Sequence, residues 1–239
     1  MSAEPPPLPG RPILAQRWTD VAFVHWRYRP ADVQQLLPRS VVVDTFDGSA
    51  WIGLVPFVME GLRPVGLPAL AHHRRFVEVN VRTYVRDRTG RPAVWFFSLD
   101  VPLPDIVAMA RAGIGARYCL ARASHASDGQ RRSYSLARRW PGQPRAHAEI
   151  EIDVSRSPTE ADPLLRFLTA RWAALTTWCG RLLRSPVTHE PWPLASAEIT
   201  RLDQTLVQAA GLTDPAGDPL VHFSPGVTAT FSRPERLTS

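Results

Sequence analysis

Between residues 76 and 85 the chain reads FVEVNVRTYV, and its polar members fall on alternate positions as Glu78, Asn80 and Arg82. In a β-strand successive side chains point to opposite faces. This spacing therefore sets a carboxylate, an amide and a guanidinium beside Phe76 and Tyr84 on one face, and Val77, Val79, Val81, Thr83 and Val85 on the other. A guanidinium held by carboxylates is a fork suited to bidentate capture of a substrate carboxylate. The run PAVWFFSLDV, reached through DRTGR with Gly90 at the left-handed position of a three-residue turn, reads as the partner strand. A regular register sets Phe96 opposite Arg82, Ser98 opposite Asn80 and Asp100 opposite Glu78, which adds Ser98 and Asp100 to the polar face. A wholly structural ion-pair cluster fits the same residues. The two readings differ in whether that face looks into an enclosed space.

Other chemistry-bearing residues are sparse. His25, His189 and His222 stand beside aromatic residues, where a hydrogen-bonded core or rim histidine competes with a general base, and His25 is kept with the binding candidates. The seven histidines show no HExxH or other ligand spacing, so no metal site and no cofactor are expected. Cys119 and Cys179 form no CxxC and read as two reduced thiols. No phosphate-binding glycine loop and no GxSxG elbow is present. All 28 residues of the lysine-plus-arginine total are arginines. The chain has no side-chain amine with which to form an imine.

The elements that must position these groups are mostly strands. WTDVAFVHWRY (Trp18 to Tyr28) reads as a strand, and Pro30 to Leu37 as a short helix with proline in its first turn. VVVDTF and SAWIGLVPFVME flank Asp47-Gly48 and read as a tight hairpin. GLRPVGLPALAHHRR (Gly61 to Arg75) lacks periodicity and reads as a rim loop. DIVAMARAG after Pro104 reads as a helix, and ARYCLARAS, RRSYSLARR and AHAEIEIDV as three strands, the first two joined at Asp128-Gly129. In the last two, Arg131, Arg132, Arg138 and Arg139 face Glu149, Glu151 and Asp153 as expected cross-strand ion pairs on a solvated face. Asp162-Pro163 opens a helix over PLLRFLTARW, and LDQTLVQAAG reads as another ending at Gly211. Roughly ten strands with four short helices imply an antiparallel barrel or sandwich, mostly β in an α+β arrangement.

The 239 residues suit one domain, here 13–234, between a proline-rich disordered tail (1–12) and a short C-terminal tail (235–239). With 44% hydrophobic and 21% charged residues, no long apolar run and no basic or apolar leader at the start, a soluble cytoplasmic protein is expected, with no membrane partner. The net charge of +6 and the doublets Arg74-Arg75, Arg131-Arg132 and Arg138-Arg139 raise nucleic-acid binding as a minor alternative. The doublets are scattered among acidic strands, which weighs against it. Oligomeric state is left open, with a homo-oligomer among the outcomes.

The ordered blocks His25-Trp26, LVPF at Leu54 to Phe57, EVNVRTYV, VWFFSLD, FLTARW, HEPWPL at His189 to Leu194, AAGL and LVHFSPGV span nearly the whole chain. With them the sequence resembles the YqjF-like family, domain of unknown function 2071, of the acetoacetate decarboxylase-like superfamily. The resemblance implies a closed antiparallel β-barrel around an internal pocket. It also implies a comparison with the superfamily's decarboxylase, whose Schiff-base lysine lies in a Gly-x-Pro-Lys stretch. Here that stretch corresponds to Gly115-Ala116-Arg117-Tyr118, so Tyr118 becomes a candidate neutral donor, and Glu78 with Arg82 resemble the carboxylates and arginine around the decarboxylase's pocket. Three classes follow: a pocket enzyme, such as a non-Schiff-base lyase or hydrolase, acting on a small anionic carboxylate or carbonyl compound; a binding or sensing module without catalysis; and the nucleic-acid reading.

Borohydride treatment in the presence of acetoacetate or pyruvate is expected to trap no side-chain adduct. Mass spectrometry locating a reduced adduct anywhere but the N-terminal amine would overturn that expectation.

Overall fold

A computed structural model describes residues 4–141, 145–160 and 162–237. The chain is mostly β. It opens with β1 (Leu14–Tyr28), passes through α1 (Pro30–Gln34) and the two-residue β2 (Val42–Val43), then lays down β3 (Ala50–Pro64), β4 (Arg75–Arg86) and β5 (Pro92–Val101). Next, α2 (Pro104–Ile114) leads into β6 (Tyr118–Asp128), β7 (Arg131–Trp140) and β8 (His147–Pro158), and α3 (Pro163–Thr169) into β9 (Ala173–Trp178) and β10 (Arg181–Thr188). The last elements are β11 (Ala195–Gln204), α4 (Leu206–Ala209), β12 (Leu220–Phe231) and β13 (Glu235–Arg236). Among the described residues no helix is long and apolar enough to cross a membrane.

The thirteen strands among the described residues belong to one sheet, and it forks at two places. One edge of β5 pairs with β4, while its other edge pairs first with β9 at Val94–Trp95 and then with β6 at Leu99–Val101. Similarly, β12 pairs with β1 along its length, with β11 at His222–Phe223 and with β10 at Thr230–Phe231. Strands β12, β1, β3, β4 and β5 thus form a shared wall. On one side β9 and β10 complete a hydrogen-bonded circuit; on the other β6, β7, β8 and β11 complete a larger one. Most pairs are antiparallel, but β5 runs parallel to both β6 and β9, a departure from the wholly antiparallel barrel expected.

The larger circuit holds the main apolar core, with Val77, Val79 and Val81 of β4 packed among Ala22, Val24, Leu54, Leu136, Ile150 and Ile152. The valine face of β4 is therefore the core face, as its alternation predicts. At Asp47-Gly48 the backbone takes positive φ angles of 52° and 69°, the geometry of a tight hairpin turn. The pairing around that turn differs from the expected hairpin. Only Phe46 and Ser49 bridge it, and Val42–Val43 pairs with β4. Both edges of β3 are already taken by β1 and β4, so no ladder is left for the VVVDTF segment. Three further boundaries move: LDQ of LDQTLVQAAG belongs to β11, the Gly61 to Arg75 loop begins only after Pro64, and Glu235–Arg236, placed in the C-terminal tail, pairs with β10.

The solvated ion-pair face on β7 and β8 is only partly as expected. Arg131 meets Asp153 at 3.1 Å with both side chains exposed. Arg138 instead turns inward and grips Asp100 bidentately, at 2.6 Å and 2.9 Å, with both side chains buried. Removing one partner of such a pair strands a charge in the interior. Arg138→Met is expected to lower the unfolding free energy by about 3 to 5 kcal/mol, read from urea denaturation; a loss below about 1 kcal/mol, the range of a surface pair, would show that the pair is not structural.

Candidate functional site

The cavity face of β4 carries Phe76, Glu78, Asn80, Arg82 and Tyr84. Their neighbours on β3 are Phe57 opposite Glu78, Val55 opposite Asn80 and Gly53 opposite Arg82. The smaller circuit encloses a cavity of about 760 Å³ lined by Glu78, Asn80 and Arg82 together with Trp18, Phe23, Val55, Phe57, Met59, Phe96, Tyr118, Arg171, Ser185, His189 and Trp192. Apolar walls with a few convergent polar groups are the ordinary make-up of a small-molecule pocket.

At its inner end Arg82 lies over Phe23 and beside Tyr84, with its guanidinium carbon 5.5 Å and 5.8 Å from the two ring centres. No carboxylate pairs with it among the described residues, and its buried Nε makes no hydrogen bond. Arg171 lies over the same Tyr84 ring at 5.0 Å. Its Nη1 donates to Asp44 at 2.7 Å and its Nε to the Phe167 carbonyl at 2.7 Å, while Nη2 has no partner. Two guanidinium groups thus flank one phenol, and Asp44, the carboxylate bonded to Arg171, is also held by Arg86 at 2.8 Å. Gly53 makes room for this cluster, since a Cβ there would stand 2.9 Å from His25 Nε2 and 3.3 Å from Arg82 Cγ.

Further along the same strand face, Glu78 is buried beside Tyr118, whose hydroxyl donates to Glu78 Oε2 at 3.3 Å. Burial pushes the Glu78 carboxyl up to about 8, against the hydrogen bonds from Tyr118 and Asn80, with Asp100 adding to the rise. Burial, together with Glu78, holds the Tyr118 phenol well above its ordinary range. Near neutral pH both groups are therefore protonated donors.

Of the residues singled out in the sequence, Glu78, Asn80, Arg82 and Tyr118 come together in the cavity wall. Ser98 and Asp100 do not. A bulge in the β4–β5 ladder between Val81 and Arg82 keeps Arg82 opposite Phe96 but shifts Ser98 opposite Val81 and Asp100 opposite Val79, onto the valine face. One extra residue in a strand reverses the facing of all that follow it, and Asp100 finds Arg138 on that side instead of Arg82. His25 shares the cavity-side face of β1 with Phe23 but is fully covered and not among the lining residues, with Nε2 2.6 Å from the Tyr84 hydroxyl. Burial and then the neighbouring Arg82 hold it well below its ordinary range, as a neutral ring. His189 does line the cavity, packed against Trp18, Trp172 and Trp192. His222 is not among the lining residues.

Three groups at the mouth could hold a metal. His72, His73 and Asp105 offer ligand atoms within 4.8 Å of one another, a cluster that histidine spacing alone does not reveal because Asp105 comes from the next helix. Here both Nε2 atoms are hydrogen-bonded to Asp105 Oδ2, at 2.9 Å and 2.7 Å. Reasoning from sequence also missed Arg171 as a pocket residue, because its partner Asp44 lies 127 positions away.

Residues 15–228 match the family of uncharacterized conserved proteins called domain of unknown function 2071. The uncharacterized protein YqjF of Bacillus subtilis (strain 168) is 34% identical over 212 residues, 89% of this chain and 87% of the relative. Among solved structures, the enduracididine biosynthesis enzyme MppR complexed with pyruvate superposes with a TM-score of 0.66 at 16% identity, over 96% of this chain and 92% of that one. An acetoacetate decarboxylase-like enzyme from Sphingomonas wittichii RW1 gives 0.65 at 14% identity, over 96% and 94% of the two chains. The acetoacetate decarboxylase of Legionella pneumophila gives 0.63 at 14% identity, over 96% and 88%. At these identities the structural likeness establishes the fold.

A carboxyl raised to about 8 in the folded state binds a proton that the unfolded chain has already released above its ordinary value of about 4.3. Its contribution to stability is therefore complete below that value and is lost as pH rises toward 8. Glu78→Gln removes this dependence. Urea denaturation from pH 5 to 9 is expected to show the stability difference moving steadily in favour of the variant as pH rises; a difference independent of pH would place the Glu78 carboxyl in the ordinary range.

Proposed function

We propose that this chain, which belongs to the domain of unknown function 2071 family, binds a carboxylate- or carbonyl-bearing small molecule in its cavity. Arg82 is the anchor for the anionic group, and any chemistry there proceeds without a Schiff base. One observation carries the reading: a guanidinium whose Nε is buried lines the inner end of a mostly apolar cavity with no carboxylate partner among the described residues. An unpaired cation in such surroundings is costly, and a ligand carboxylate would both offset that cost and use the planar fork. Arg171, with Nη2 free and one shared carboxylate, adds to the positive field at the same end.

Glu78 and Tyr118 supply the other function a pocket enzyme requires. Protonated near pH 7, Glu78 would donate to a carbonyl oxygen of a ligand long enough to reach it from Arg82, roughly 13 Å away along the strand, and the carboxylate left behind would keep the hydrogen bonds of Tyr118 and Asn80. Such acid catalysis needs neither metal nor lysine. That a protein of the same fold is described in complex with pyruvate supports a carbonyl-containing acid as the ligand class. The nucleic-acid reading draws little support from the arginine doublets, since Arg131, Arg132 and Arg138 are each held by an aspartate.

Thermal-shift screening against carboxylates and keto acids is expected to raise the melting temperature, because a ligand that binds only the folded state stabilises it by mass action. With the best ligand, Arg82→Lys keeps the charge and loses the fork, and Arg82→Met loses both. Since hydrogen bonds to charged groups contribute about 1.5 to 3 kcal/mol, each change should weaken binding roughly tenfold or more in calorimetric titration. Unchanged affinity in both folded variants would make Arg82 a structural residue only.

A further inference from the structure

From the geometry of the whole cavity we infer that the ligand is a carboxylic acid with a long apolar tail, its head at Arg82 and its tail running past Glu78 to the mouth. The head group rests on the anchor reading above; the tail rests on separate observations. The first is extent. Arg82 and Arg75 stand seven residues apart on β4, roughly 23 Å along an extended strand, and the cavity wall continues from Arg82 through Asn80, Glu78 and Phe76 toward the loop that precedes Arg75. A volume of about 760 Å³ lies in the range of pockets that enclose drug-sized ligands, and a keto acid of a few carbons would leave most of it unfilled.

The second is chemistry. Beyond the Arg82 and Arg171 end, much of the lining is apolar, with Phe57, Met59, Leu62, Phe76 and Ile106 on the way out. The third is the mouth itself. Seven large hydrophobic residues are exposed among the described residues, and four of them, Ile13, Leu67, Leu70 and Met109, line this cavity, with Val65 next to them in sequence. Leu67 and Leu70 leave 59% and 58% of their surface open. Monomeric proteins rarely gather exposed apolar side chains in one place without a ligand or partner to cover them. Because this ring is continuous with an apolar cavity, a hydrocarbon tail threading the mouth covers it from within.

Calorimetric titration of the intact protein with butyrate, hexanoate, octanoate and decanoate, each below its micelle concentration, tests the inference. If each methylene enters apolar surroundings, affinity should rise about fourfold per added carbon, the equivalent of about 0.8 kcal/mol. Leu67→Ser with Leu70→Ser should flatten the rise for the longest acids and leave butyrate unchanged. Arg82→Met should weaken every member by a similar factor and keep the slope. Equal affinity across the series, or no binding by any member, overturns the tail. Decanol binding as tightly as decanoate, with Arg82→Met indifferent, leaves the tail standing and overturns the anchor instead.

Discussion

A β-strand sends successive side chains to opposite sides, and β4 is built between two spaces of different character. Its valines complete a packed apolar core, while Phe76, Glu78, Asn80 and Arg82 face the cavity. A slip of one residue would drive a carboxylate, an amide and a guanidinium into that core and turn the valines to the cavity. The register of the wall is thus specified by burial on one side, and the position of each polar group on the other side follows from it. The fork at β5 and β12 uses the same wall twice: a single stretch of strands is covered on one face by β6, β7, β8 and β11 and on the other by β9 and β10.

This wall also separates two kinds of arginine. Arg138 is on the core side, saturated by a bidentate carboxylate, and its role is to satisfy Asp100. Arg82 is on the cavity side, stacked on aromatic rings and without a carboxylate. Aromatic faces attract a cation without consuming its hydrogen-bond donors. Stacking therefore holds the Arg82 guanidinium in place, while one of its donors goes to the Tyr84 hydroxyl and none meets a carboxylate among the described residues. The neutral state of His25 serves the same end, because a second positive charge beside Arg82 would oppose it.

How much of this was readable from residue order depends on whether parity survived. Alternation in FVEVNVRTYV identified the two faces of β4 correctly, and Asp47-Gly48 and Gly90 marked turns that the backbone makes. Ser98 and Asp100 were misplaced because the irregularity falls at Phe96-Phe97, where both residues are apolar and no change of pattern betrays the extra position. Arg138 did leave a signal. It shares parity with Tyr134 and Leu136, both fully buried, so the alternation of RRSYSLARR already points it inward; charge complementarity with the acidic strand obscured that. Arg171 left none, because what makes it a pocket residue is Asp44, brought near only by the closed fold.

The missing lysine and the protonated carboxyl are linked by electrostatics. Tyr118 reaches the cavity and donates to Glu78, while Arg117 points away to lie 5.7 Å over the Trp95 ring. An ammonium within hydrogen-bonding reach of Glu78 would favour the carboxylate. Tyrosine offers a hydrogen bond without a charge, and Arg82, four residues along the strand at roughly 13 Å, is not among the groups acting on Glu78. With no cation at hand, burial dominates and Glu78 keeps its proton near neutral pH. In this lysine-free chain the tyrosine thus leaves Glu78 as a buried neutral acid facing the cavity.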